Sequence, residues 1–295
     1  MKPIIYTAYE SRSFFNHKQG IWAVENNSIE LLDDLFISLR EIGKYNGDIA
    51  LIFYGGRLST KLRKLIKYYD IKIIYVKKTE EVVIDRYINI NRYINTNNYT
   101  HIIHLDHDMW FQSNIAPLWN IIPNDGVVMG GSFQAEDLLY DKSKRWDLNF
   151  LYDNNDDSEY LNFKNKMIKM QKAHGHIGVN GGFMAGSTIS FNKKIDLLKK
   201  AYSNGFVDKL WGSDEFLLSY YFDINKDIYD NRFNCYHNLN EKMNLFKTEK
   251  NEKAVIIHQL GYLRYKYNYL LSFKNIYKDL YDNIVNKINE ANYDI

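Results

Sequence analysis

The segment that most constrains this chain is Thr100-His101-Ile102-Ile103-His104-Leu105-Asp106-His107-Asp108-Met109-Trp110-Phe111, a short apolar run ending in two aspartates one residue apart. Side chains alternate faces along a strand, so residues at i and i+2 share one face. Asp106 and Asp108 are therefore expected together at the carboxyl end of a buried strand. Ligands of open α/β sheets bind at that edge. Two carboxylates converging there repel each other unless a cation neutralises them. A divalent metal that takes carboxylate oxygens together with the phosphates of a nucleotide fits this chemistry. A solvated turn would use the same two residues, and the place of the pair in the chain separates the two readings.

That place is after the fourth of four short apolar runs. Ile4–Tyr6, Ile49–Tyr54, Ile71–Val76 and Tyr99–Leu105 alternate with longer amphipathic stretches. Residues 25–44 carry Ile29, Leu32, Leu35, Phe36, Leu39 and Ile42 at helical spacing, Leu58–Tyr69 reads as a basic helix, and residues 79–95 as a third. The repeated strand–helix–strand order predicts an α/β fold with a mostly parallel central sheet flanked by helices. Beyond residue 110 the pattern is less regular. It predicts a strand at Val127–Met129, a polar stretch over 134–172 that is helical over 158–172, and a glycine-rich strand over Gly181–Ser190. Helices near 193–203 and 214–222, a strand at Ala254–Ile257 and a helical tail complete the reading. No repeat or linker interrupts the chain, so residues 1–265 are read as one domain and 266–295 as a helical C-terminal tail.

Composition narrows the function classes. A chain of 295 residues can bury roughly 70–75% of its unfolded surface and needs no covalent staple. The single cysteine, Cys235, excludes an internal disulfide and a multi-cysteine zinc site. A net charge of +2 and the lack of a basic–aromatic module give no nucleic-acid partner. No stretch approaches the roughly 20 apolar residues of a membrane span, and the apolar run at the start is too short for a signal peptide. A soluble protein of the cytoplasm is expected. The tail, rich in Tyr, Lys and Leu, is read as a helix for peripheral membrane contact, for docking on its own domain, or for a homodimer.

Two other uses of Asp-x-Asp fit poorly. Haloacid-dehalogenase phosphatases place it after the first strand and follow it with Thr or Val, whereas Met109-Trp110 follows here. An EF-hand needs further oxygen ligands and a glycine at set offsets, and these are missing.

The chain resembles the metal-dependent, nucleotide-sugar glycosyltransferases of the GT-A fold over about residues 3–265. Two of their families are similar: family eight, with glycogenin and the lipopolysaccharide galactosyl- and glucosyltransferases, and family six, with the blood-group A/B enzymes. Leu105-Asp106-His107-Asp108-Met109-Trp110-Phe111 resembles the Asp-x-Asp segment of both. Asn180-Gly181-Gly182-Phe183-Met184-Ala185-Gly186 is similar to the small-residue strand lining the donor-sugar pocket. Trp211-Gly212-Ser213-Asp214-Glu215 resembles the family-six Trp-His-Asp-Glu segment with one residue more, and stands where family eight has Asp-Gln-Asp. It would equally make a helix N-terminus, with Ser213 as cap. Ile256-Ile257-His258-Gln259-Leu260-Gly261 resembles the family-eight His-x-x-Gly-x-Lys segment, with Arg264 three residues after the glycine and no Lys-Pro-Trp.

The resemblance implies Mn²⁺ or Mg²⁺ held by Asp106, Asp108 and His258, and a UDP-sugar as donor. It implies donor contacts from Tyr6, Thr7, Ala8 and Tyr9, with an aromatic stacked on uracil, and from Arg86 (with Arg92 as competitor), Asp106, Asn180, Gly181, Gly182, Gly261 and Arg264. Glu215, with Asp214 next, is the carboxylate expected at the sugar's reacting face of a retaining hexosyltransferase, as nucleophile if transfer is a double displacement. Delivery of the acceptor on the leaving-group face needs no covalent intermediate. The acceptor is a glycan, a lipid-linked sugar or a protein. The pair His174/His176 could bind metal or acceptor, and Cys235 is read as structural. The competing classes are a sugar-nucleotidyltransferase and a nucleotide-sugar-binding protein without activity. The first would carry a glycine-rich basic loop after the first strand, where Glu10-Ser11-Arg12-Ser13 stands.

Overall fold

The computed structural model describes residues 2–10, 25–55, 58–77, 82–131, 162, 165, 169, 179–203, 213–236, 252–258 and 272–291. In chain order the elements are β1 (Pro3–Glu10), α1 (Glu25–Glu41), β2 (Asp48–Tyr54), α2 (Thr60–Tyr68), β3 (Lys72–Val76), α3 (Val82–Ile88), α4 (Ile90–Tyr93), β4 (His101–Leu105), β5 (Met109–Phe111), α5 (Ala116–Trp119) and β6 (Val127–Gly131). They continue with β7 (Val179–Ser187), α6 (Thr188–Ser203), α7 (Ser213–Tyr220), β8 (Ile228–Tyr229), β9 (Cys235–Tyr236), β10 (Ile256–His258), α8 (Phe273–Ile276) and α9 (Lys278–Glu290).

Seven strands form one sheet in the order β3-β2-β1-β4-β7-β6-β8, and β5-β10-β9 form a second. β1 lies between β2 and β4 and is parallel to both. Alternation then sends successive residues to opposite cores. Ile5, Leu51 and Ile103 pack with α1, α2 and the C-terminal helices, while Ile4, Ile52 and Ile102 pack with α3, α4, α6 and α7. A sheet covered on both faces needs strands that are apolar at nearly every position; β2 meets that requirement, and β4 departs from it at His101 and at buried His104.

Three expectations shift. β1 runs to Glu10 rather than stopping at Tyr6, because Thr7 through Glu10 pair with Leu51 through Tyr54 of β2. The helix expected over 79–95 breaks at Asn89, whose side-chain amide donates to Asp85 Oδ1 at 2.6 Å. The glycine-rich strand β7 ends at Ser187, where α6 begins, and it pairs antiparallel with both β4 and β6.

The tail packs on the first core. Ser272 caps α8, the Phe273 ring lies 6.1 Å from that of Trp110, and Tyr281, Ile284 and Ile288 of α9 are buried. Lys61 on α2 meets buried Asp33 of α1 at 2.5 Å and the Tyr281 hydroxyl at 2.9 Å, linking α9 to two helices. Among the described residues no helix is long and apolar enough to cross a membrane.

Candidate active site

The Asp-x-Asp turn joins the two sheets. β4 ends at Leu105, and the Asp106 N–H then donates to the Gly182 carbonyl of β7 at 2.8 Å. The chain turns through His107 and Asp108 into β5, which runs antiparallel to β10 with Met109 opposite His258. That register brings His258 beside Asp108, and His258 Nε2 lies 3.2 Å from Asp108 Oδ1. One ligand atom from each of Asp106, Asp108 and His258 falls within a common span of 4.8 Å. Two carboxylate oxygens and an imidazole nitrogen suit a divalent metal such as Mn²⁺. The buried His258 also has a partner on its other ring nitrogen, as metal-binding histidines do.

Arg86 of α3 reaches two carboxylates at once. Its guanidinium meets Asp106 through Nη1 and Asp214 of α7 through Nη2, the latter at 2.8 Å. Burial opposes ionisation of Asp106, but Arg86, the His104 ring 3.4 Å away and the nearby His258 hold its carboxyl far below the usual range. Burial wins at Asp214, whose pKa is raised despite Arg86. Burial also pulls His104, one turn of strand before Asp106, down to about 4, so its ring is neutral at pH 7. The two ion pairs leave Arg86 protonated even though it is largely buried.

A second set of polar contacts runs through amides. Asn180 at the start of β7 donates from Nδ2 to Glu215 Oε1, and its Oδ1 accepts from the Gly182 N–H at 2.7 Å. Asn234 Nδ2 lies 3.1 Å from that same oxygen, and Asn234 Oδ1 lies 2.9 Å from His258 Nδ1. α7 is stapled to the same strand, because Val179 N–H donates to Ser219 Oγ at 2.9 Å. Glycine is required in the middle of this arrangement. A Cβ on Gly181 would sit 2.2 Å from Asp214 Oδ2, and one on Gly182 would sit 2.7 Å from both Asn180 Oδ1 and His258 Cε1. The Tyr87 hydroxyl donates to the Gly181 carbonyl and holds that strand in place.

No protein-family model and no curated protein sequence matches the chain. Among solved structures it is similar to the galactosyltransferase LgtC in complex with donor and acceptor sugar analogs, with a TM-score of 0.56. The two sequences are 12% identical, and the match covers 95% of each chain. The fold is GT-A.

In this GT-A chain most of the residues singled out from sequence gather around one centre. Asp106, Asp108, His258, Arg86, Asn180, Gly181, Gly182, Asp214 and Glu215 are joined by the contacts above. Tyr6 is fully buried, with its ring 4.9 Å from that of His104 and 6.2 Å from that of Phe191. A ring enclosed in this way packs as part of the sheet's core. Tyr6 OH and Thr7 Oγ1 are buried and have no hydrogen-bond partner among the described residues. Ala8 and Tyr9 are buried too, and Tyr9 lies edge-on to His107 of the Asp-x-Asp turn at 5.6 Å. Arg92 is on the short helix α4, whereas Arg86 has both carboxylate partners. Gly261, Arg264, Trp211, Gly212, His174, His176 and the side chain of Ser213 lie outside the described residues. Cys235 is buried in β9. Sequence reasoning missed Asn234, and no local motif marks it.

Proposed function

We propose that this protein is a divalent-metal-dependent glycosyltransferase that moves a hexose from a UDP-sugar to a hydroxyl of a glycan, lipid-linked or protein acceptor, with retention at the anomeric carbon. The convergence of Asp106, Asp108 and His258 at the carboxyl edge of the parallel strands carries this reading. A histidine as third ligand also favours likeness to family eight over family six. LgtC, of the same fold, binds donor and acceptor sugar analogs.

Asp106, Asp108 and His258 would hold Mn²⁺ or Mg²⁺, which when bound supplies positive charge against the nucleoside diphosphate as it departs. The chain's own residues do the rest. Arg86 keeps Asp106 ionised and ties it to Asp214, so the turn and α7 keep one spacing. Gly181 and Gly182 let the backbone of β7 lie directly against Asp214, Asn180 and His258, because no Cβ intervenes. Asn180 orients the Glu215 carboxylate toward the anomeric carbon, where positive charge develops. The bond from that carbon to the diphosphate oxygen breaks, the acceptor oxygen forms the new bond, and the acceptor proton leaves on the diphosphate.

The test is transfer and hydrolysis across a panel of nucleotide sugars, with Mn²⁺ and with EDTA. Metal-dependent release of UDP from one UDP-sugar is expected. Metal-dependent binding without turnover on any acceptor would point instead to a nucleotide-sugar-binding protein.

A further inference from the structure

We propose that Asn234 is the positioning residue that presents His258 to the metal, as one link of a one-way hydrogen-bond chain that ends on Glu215. The inference rests on the function proposed above and deepens it.

One backbone group fixes the direction of the chain. The Gly182 N–H can only donate, and it lies 2.7 Å from a terminal atom of the Asn180 side chain, so that atom is the oxygen. The facing terminal atom of Asn234, 3.1 Å away, must then be its NH₂ group. This leaves the Asn234 oxygen against His258 Nδ1 at 2.9 Å. An amide oxygen only accepts, so Nδ1 carries a proton, which leaves Nε2 as the nitrogen whose lone pair a metal would take. Nε2 is the nitrogen that faces Asp108. At the other end the Asn180 NH₂ group donates to Glu215 Oε1. Each proton therefore points from the metal side toward Glu215, whose Oε1 accepts the last of them.

The scaffold holds Asn234 in place. Its neighbours Cys235 and Tyr236 pair with Ile257 and His258. The Gly130 backbone approaches so closely that a Cβ there would lie 2.1 Å from Asn234 Cβ. Metal binding at Nε2 draws electron density from the ring and makes Nδ1–H a stronger donor, and hydrogen bonds in a chain polarise one another. Occupancy of the metal site and the placing of Glu215 are coupled through two amides.

The experiment titrates Mn²⁺ into metal-free wild type, Asn234→Ala and Asn234→Asp, with free ion followed by electron paramagnetic resonance. ¹⁵N NMR of the histidine rings reports the tautomer, and near-UV circular dichroism checks each fold. Asn234→Ala keeps the Cβ packed on Gly130 and is expected to weaken Mn²⁺ binding by roughly 10- to 100-fold. Asn234→Asp still accepts from Nδ1–H and should hold Mn²⁺ within about threefold of wild type. Its carboxylate cannot donate to Asn180, so kcat for transfer should fall at least about tenfold with little change in the donor KM. A wild-type ring that is protonated at Nε2 and not at Nδ1 overturns the proposal. So does an Asn234→Ala protein that binds Mn²⁺ within about twofold of wild type, an Asn234→Asp protein as weak as Asn234→Ala, or an Asn234→Asp kcat equal to wild type. Sugar transfer by a wild type whose metal binding ignores Asn234 defeats this inference alone. Asn234-dependent Mn²⁺ binding without transfer from any nucleotide sugar defeats the proposed function and leaves the positioning of His258 standing.

Discussion

Arg86 meets Asp214 at 2.8 Å across 128 residues of chain while the same guanidinium holds Asp106. Removing it leaves two carboxylates in a buried site without their cation. Breaking one side of a buried ion pair typically costs about 3–5 kcal/mol. Arg86→Met should therefore lower the unfolding free energy of metal-free protein, read from urea titration, by that order. Added Mn²⁺ should recover part of the loss, because it binds only the folded state. Stability within about 0.5 kcal/mol of wild type would show that the pair does not hold α3 to α7.

Gly182→Ala adds a Cβ that would sit 2.7 Å from Asn180 Oδ1 and from His258 Cε1. Both neighbours are buried and hydrogen-bonded, so they cannot swing aside. Overpacking of this kind costs about 1–3 kcal/mol, and His258 should move off its partners. Calorimetry of Mn²⁺ binding should show at least a tenfold loss, of the order seen when outer partners of metal ligands are disturbed. Unchanged affinity would place the metal elsewhere.

Glu215→Gln keeps an oxygen that accepts from Asn180 and removes only the negative charge. Transfer should fall by about 10²-fold or more while UDP binding stays intact, the pattern of a group that acts in the transition state. Near-normal turnover would reassign the role to Asp214.

The C-terminal helix should behave as part of the core. Ile284 is 4% exposed, and Ile284→Ala should cost about 2–5 kcal/mol by thermal or urea denaturation. With Tyr281, Ile284 and Ile288 buried and Tyr281 tied to Lys61, the protein should stay in the supernatant when sedimented with anionic vesicles. Sedimentation with the vesicles would revive the tail as a membrane contact.

The fold was legible in sequence where local pattern and global packing agree. Ile49–Tyr54 and Ile102–Leu105 are apolar runs because strands of a two-sided sheet are buried at successive positions. Asp106 and Asp108 stood out because two charges after such a run have no packing reason to be there. The neighbours that bury Tyr6 were not legible, since Phe191 and His104 arrive from elsewhere in the chain. The antiparallel placing of β7 between β4 and β6 was equally hidden, because periodicity carries no strand direction. Asn234 is one asparagine among many, and only the pairing of β9 with β10 brings it to His258. The contact between Arg86 and Asp214 is likewise a product of the folded helices rather than of any spacing.

The most direct test of the central claim is isothermal titration of UDP, with and without Mn²⁺, into wild type and Asp108→Ala. Asp108 supplies one atom of the Asp106–Asp108–His258 group, whose ligand atoms lie within 4.8 Å. UDP binding that requires Mn²⁺ and is lost in folded Asp108→Ala is the predicted result. Binding of equal strength in the two proteins, or in wild type with and without the metal, would contradict it.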